Sequence, residues 1–270
     1  MSEIHSINIY SVKELLDRVA RDTTNWTRDG FARPWFRGHT DIRYKLLPSI
    51  LRSGNDIHEF NLTKKFRLMA PGFGAALETS RLDRWLFLMQ HHRAPTRLLD
   101  WTESVLVAAF FATEKAAEDG FAERDAAVFA LDPIALNEAA GLQHFPVTWS
   151  QNPVLQTIKF AFGTQDESVN GHKIKYLELP SAIYPSTIHA RIASQKGCFT
   201  LHGADKRDFE SIFSGRTMMQ DKRLIKYRIP KEKVCEIFQE VWDLGITYAT
   251  LFPDLDGLAR ELKYSFRIKG

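Results

Sequence analysis

The chain has 270 residues, 44% of them hydrophobic, and its 36 basic and 33 acidic side chains leave a formal net charge of +3. That apolar content supports a substantial core and excludes an intrinsically disordered chain, while the length is ordinary for one α/β or α+β domain. The near-balance of charge excludes the strong overall field that drives non-specific nucleic-acid binding, although a local basic patch stays open.

The first residues, Met1 to Ser6, lack a basic region followed by an apolar stretch, so no signal peptide is expected. The first predicted element is a helix over 11–20, with Ser11 as N-cap, Glu14 three residues on, and Val12, Leu15, Leu16 and Val19 on one face. Residues 34–39 read as a short strand ending at Gly38. Helices are predicted over 56–70 and 80–93, the second carrying Leu82, Trp85, Leu86 and Met89 at helical spacing. Pro95 stops it, because proline lacks an amide hydrogen and disfavours helical geometry in Ala94.

Residues 97–101 read as extended, and Thr102 or Glu103 opens a helix running to about Glu118. That helix is apolar nearly all round, which predicts burial. Its run Val105 to Ala112 is the longest apolar stretch and is too short to span a bilayer. Strands are predicted at 127–131, at 173–179 and at 224–229, with extended structure around Gly197 within 188–202. Val234, Ile237, Phe238, Val241 and Trp242 line one face of an amphipathic helix that Gly245 ends, and a last helix follows Pro253 with Asp254 as its cap. The segment 141–171 is the least regular and reads as a long loop or lid.

Cys198 and Cys235 are far apart and outside any C-x-x-C spacing, which fits reduced thiols in a cytoplasmic, soluble protein with no membrane partner. The expected fold class is α+β. One domain covers 1–270, with a central mixed or antiparallel sheet, flanking helices, and residues 1–30 as an N-terminal helical cap.

Four segments carry a family resemblance. They are 35–39 (Trp-Phe-Arg-Gly-His) with 46–52, 90–102 (Gln-His-His-Arg-Ala-Pro-Thr-Arg-Leu-Leu-Asp-Trp-Thr), 191–200, and 251–258. In this order they resemble the FRG-domain family, named for its Phe-Arg-Gly tripeptide. The chain departs from that pattern at His39, where the family often has Gln. It departs again at Arg93, where Gly is common and where a helix end favours Gly, so a different local geometry is expected there.

A weaker similarity at the level of fold is to ADP-ribosyltransferases of the Arg-Ser-Glu type. These place an Arg on the first core strand, then a hydroxyl-rich strand running into an apolar helix, then a Glu on a later strand. The resemblance implies an NAD- or nucleotide-binding domain, with NAD as substrate and a protein or nucleic-acid acceptor, of the toxin or defence-effector kind. It implies cofactor-binding roles for Arg37, Thr102 and Ser104, with His91 and Arg97 within reach of the site. Guanidinium pairs two-pronged with phosphate, and hydroxyls at a helix N-terminus suit ribose. The third segment offers Gln195 where a catalytic Glu is expected, which leaves Asp100, Asp254 or Asp256 to stabilise an oxocarbenium-like state. The alternative is a non-catalytic module that binds a nucleotide, nucleic acid or protein partner.

Plainer readings stand beside these. Arg37 either faces a ligand or pairs with a carboxylate at the edge of the core. Arg97 and Asp100 lie on opposite faces of a regular strand, and Asp100 reads as a helix cap. Arg97 holds either that carboxylate or a phosphate. His91 and His92 point about 100° apart on a helix and cannot share a metal in the i, i+4 manner. Asp254 is covered by capping, and Asp256 by the helix dipole. No metal site is expected.

Overall fold

A computed structural model of the protein describes residues 4–26, 33–78, 80–142, 152–162, 177–185, 189–214 and 216–268. Its strands are β1 (His5–Asn8), β2 (Trp35–His39), β3 (Leu98–Thr102), β4 (Ala126–Leu131), β5 (Ser181–Ile183), β6 (Gly197–Leu201) and β7 (Leu224–Ile229). They form one mixed sheet in the spatial order β1-β7-β4-β2-β3-β6-β5. β1 runs parallel to β7 and the other pairings are antiparallel.

The α-helices among the described residues are α1 (Val12–Asp22), α2 (Glu59–Met69), α3 (Leu82–His91), α4 (Val105–Asp119), α5 (Pro133–Ala139) and α6 (Asn152–Ala161). The second half of the chain adds α7 (Ala190–Ser194), α8 (Phe209–Phe213), α9 (Thr217–Gln220), α10 (Val234–Asp243), α11 (Tyr248–Leu251) and α12 (Leu255–Ser265). The architecture is α+β, a mixed sheet with flanking helices. No helix among the described residues is long and apolar enough to cross a membrane.

Apolar patterning explains the layering. β4 is buried at all six positions, as a central strand covered on both faces must be. On one face, Phe36, Val128, Ala130, Ile225 and Tyr227 pack against α4, α10 and α1. On the other, Trp35, Phe129, Trp101 and Cys198 meet Phe209, Phe213 and Met218 from α8 and α9. A third cluster joins α3 and α6 to β3 and β6 through Trp85, Met89, Ile158, Leu98 and Leu201. α4 lies directly on β2 because residue 38 is glycine: a Cβ there would stand 2.1 Å from the Ala108 carbonyl oxygen and 2.5 Å from the Ala112 nitrogen. The apolar helix is therefore the inner layer, with Phe110 packed edge-on to Tyr248 at 5.2 Å.

One joint in the sheet is thin. β2 pairs with β4 at five positions but with β3 at only one, Phe36 opposite Thr102. Beyond that rung β2 and β3 make no further pairing, and Arg37 stands at the parting.

Several expectations are corrected by the structure. α4 begins later than expected and its N-cap is Ser104, whose hydroxyl accepts from the Val107 amide, so Asp100 does not cap it. Leu16 is 40% exposed, off the buried stripe of α1. The N-terminal region contributes a strand, β1, as well as the expected helix. Within 141–171, residues 152–161 form α6, and the remainder of that proposed lid from 143 to 151 and from 163 onward lies outside the described residues. The strand expected over 173–179 also falls largely outside them, and 177–179 is irregular, with β5 starting at Ser181. At Arg93 the backbone takes φ 60°, the left-handed conformation that glycine favours, so the turn is kept and the arginine bears its strain.

Candidate functional site

The segment 90–102 folds back on itself at Pro95, so the last turn of α3 lies beside β3. The Leu98 amide donates to the Thr96 hydroxyl at 3.1 Å, that hydroxyl donates to the Gln90 side-chain oxygen, and Gln90 Nε2 donates to the Asp100 carboxylate at 2.8 Å. This relay fixes the Asp100 carboxylate while leaving it 57% exposed.

Arg37 approaches from β2. Its Nη1 donates to the Asp100 carbonyl at 2.5 Å and lies 3.9 Å from the Asp100 carboxylate, and its Nε donates to His39 Nε2 at 3.0 Å. His39 must therefore be neutral, with its proton on Nδ1 donating to the Tyr44 carbonyl at 3.2 Å. Burial, reinforced by the Arg37 charge, pushes its pKa down to about 3. Burial also lowers the Arg37 pKa, with Asp100 opposing. Arg37 thus has the carboxylate neighbour that one reading expects, and it stands at the joint between β2 and β3.

Asp100 lines a narrow cleft of about 70 Å³ with Gln90, His91, Arg191 and Gln195, over a floor that includes Phe87 and Phe199. Arg191, on α7, stacks over the Phe252 ring at 4.7 Å. Burial lowers its pKa, the Arg93 charge adds to that, and Asp100, Asp254 and Glu114 oppose it. The His91 ring lies 5.5 Å from His189 and 4.9 Å from His92. Burial, then His92, Arg191 and His189, lowers the His91 pKa. The cleft thus pairs one oriented carboxylate with the Arg191 guanidinium and with amide and imidazole edges, and Arg37 contacts Asp100 from β2.

Three of the expected residues, His91, Asp100 and Gln195, meet in this cleft, and Arg37 reaches Asp100 from the neighbouring strand. The remaining expected residues, and Gln195 as well, make contacts within the fold. Thr102 Oγ1 donates to the Gln195 carbonyl at 2.7 Å and accepts from the Ser104 amide at 3.0 Å, while the Ser104 hydroxyl caps α4. Gln195 closes α7 and donates to the Leu251 carbonyl at 3.0 Å. Asp254 caps α12 by accepting from the Gly257 amide at 2.8 Å, and Asp256 sits in its first turn.

Arg97 corrects a sharper expectation. It holds neither Asp100 nor an exposed phosphate site: it is buried and forms a two-pronged pair with Glu59 at 2.6 and 2.7 Å, and donates to the Gly203 carbonyl at 2.5 Å. The strand alternation that sends Asp100 outward sends Arg97 inward. Sequence reasoning missed Gln90 and Arg191 as site residues, although Gln90 opens the most specific motif segment and Arg191 opens the next.

A comparison with protein-family models matches residues 32–120 to the FRG domain. That match covers about a third of the chain and includes the Phe36-Arg37-Gly38 tripeptide. The matched region supplies Arg37, Gln90, His91 and Asp100, whereas Arg191 and Gln195 reach the cleft from outside it. No curated protein and no solved structure matches the chain. A separate cavity of about 660 Å³ lies between α2 and α3 and is mainly apolar, with Leu62, Phe66, Met69, Phe73 and Leu88 in its wall.

Proposed function

We propose that the Asp100 cleft binds a nucleotide, with NAD the ligand whose chemistry matches it best, and that Asp100 supports cleavage of the nicotinamide–ribose bond. The observation that carries this reading is the Asp100 carboxylate, held at 2.8 Å by Gln90 yet exposed, with Arg37 3.9 Å away. In such a reaction the C1′–N bond breaks, its electron pair leaves with nicotinamide, and water or an acceptor nucleophile adds at C1′ and loses a proton. A carboxylate beside C1′ stabilises the cationic state between those events. Arg37 and Arg191 suit the diphosphate. A cleft of about 70 Å³ admits one small group, so most of the dinucleotide lies across its mouth.

A second reading, nucleotide binding without catalysis, is favoured by the commitment of the Thr102 and Ser104 hydroxyls to the fold. Calorimetry with NAD and a nicotinamide-release assay separate the two, using wild type, Asp100→Asn and Arg37→Ala. Binding and release in wild type, with release lost in Asp100→Asn and binding weakened in Arg37→Ala, supports the enzyme. Binding without release supports the module, and no binding at millimolar NAD sinks the dinucleotide reading of either.

A further inference from the structure

The last helix carries more exposed apolar surface than its packing accounts for. Its inner face is firmly seated. Gly257 is pressed against Phe252, the Tyr264 ring lies 4.6 Å from Trp242, and Glu261 accepts from the Thr247 hydroxyl at 2.6 Å and the Ala249 amide at 2.7 Å. Yet Leu255 is 82%, Leu258 44%, Leu262 47% and Phe266 73% exposed. With successive residues 100° apart, these four and the exposed Ala259 fall in one stripe about 100° wide. Scattered exposed leucines need no explanation, but a continuous apolar stripe on an anchored helix marks a contact surface.

We propose that α12 pairs with α12 of a second copy of this chain, antiparallel about a two-fold axis near Ala259. The charges beside the stripe select both the partner and the direction. Asp256 and Lys263 lie on the same flank, seven residues apart, and neither has an ion-pair partner among the described residues. In an antiparallel pair like flanks face each other, so Asp256 of each copy meets Lys263 of the other, twice by symmetry. A parallel pair would set that flank against the opposite one, which presents Ser265. The same arrangement sets Leu255 near the partner's Phe266, and Ala259 at the crossing lets the two helices approach closely. Such a contact buries on the order of 1,000 Å² in total, the lower bound of a specific interface, so a dimer with micromolar dissociation is the expected strength.

The test is sedimentation equilibrium of the full chain from low-micromolar to sub-millimolar concentration. Wild type should pass from monomer to dimer, and Leu262→Glu should remain monomeric throughout with an unchanged melting temperature, since residue 262 is outside the core. Asp256→Lys should weaken the dimer several-fold, and the double variant Asp256→Lys, Lys263→Asp should restore it. Direction is read by oxidation in a Cys235→Ser background. Ala259→Cys should cross-link to its own copy, whereas Leu255→Cys, about 16 Å from its counterpart in the antiparallel pair, should not. A monomeric wild type, a dimer indifferent to Leu262→Glu, or cross-linking through Leu255→Cys would overturn the proposal.

Discussion

Replacing Glu59 by leucine tests how the motif arginine Arg97 is held. Arg97 is 1% exposed and gives Glu59 two hydrogen bonds, at 2.6 and 2.7 Å. Leucine nearly matches the glutamate in volume but accepts nothing, so the guanidinium keeps its charge in the interior without its carboxylate. Breaking a buried ion pair from one side costs about 3–5 kcal/mol. In a chain of this size that lowers the melting temperature by roughly 8–15 °C. The reverse change, Arg97→Leu, should cost about as much, because it strands both the carboxylate and the Gly203 carbonyl.

The double variant removes both charges and should be less damaged than the sum of the two, with a coupling of about 2–3 kcal/mol. Urea melts of the four proteins measure the cycle. Additive costs, or a loss under about 1 kcal/mol for Glu59→Leu, would mean that Arg97 is not held by Glu59 in the folded protein.

Three further outcomes are expected. His39 and His202 have folded-state pKa values lowered to about 3 and about 4, chiefly by burial, so below the unfolded value near 6.5 the unfolded chain binds protons that the native state refuses. Stability should therefore be full above pH 6.5 and fall by about 1.4 kcal/mol per pH unit for each ring as the pH drops toward 4, and His202→Gln should remove about half of that slope in urea melts. Gly38→Ala drives a Cβ into the α4 backbone at 2.1 Å, and should cost about 3 kcal/mol or more by denaturant titration, at the upper end for overpacking. Arg93→Gly relieves a left-handed residue at φ 60° and should raise the melting temperature slightly, a gain of up to about 1 kcal/mol after the added freedom of the unfolded chain is subtracted.

What the sequence made legible was local. Ser11 and Asp254 cap their helices because a side-chain oxygen needs only an amide two or three residues on. β2, β4 and the buried α4 announce themselves by composition. β1 did not, because its four residues are mostly exposed and its partner β7 lies more than two hundred residues away. Asp100 was read as a cap because nothing near it in the chain shows that Pro95 returns Gln90 to it, while Ser104 takes the capping position four residues later. The partner of Arg97 is 38 residues upstream on α2, and the face of Arg97 is set by a strand register that periodicity cannot supply. For the site, the motif residues were legible and their division of labour was not: one arginine of the motifs is interior framework and another stands at the cleft.

The single rung between β2 and β3 gives Arg37 a double obligation. The sheet is two blocks, β1-β7-β4-β2 and β3-β6-β5, and the Arg37 bond to the Asp100 carbonyl is a stitch across their boundary. An anion that recruits that guanidinium draws on the same group that fastens the blocks. If an anion binds Arg37, its occupancy and the stiffness of that boundary become linked quantities.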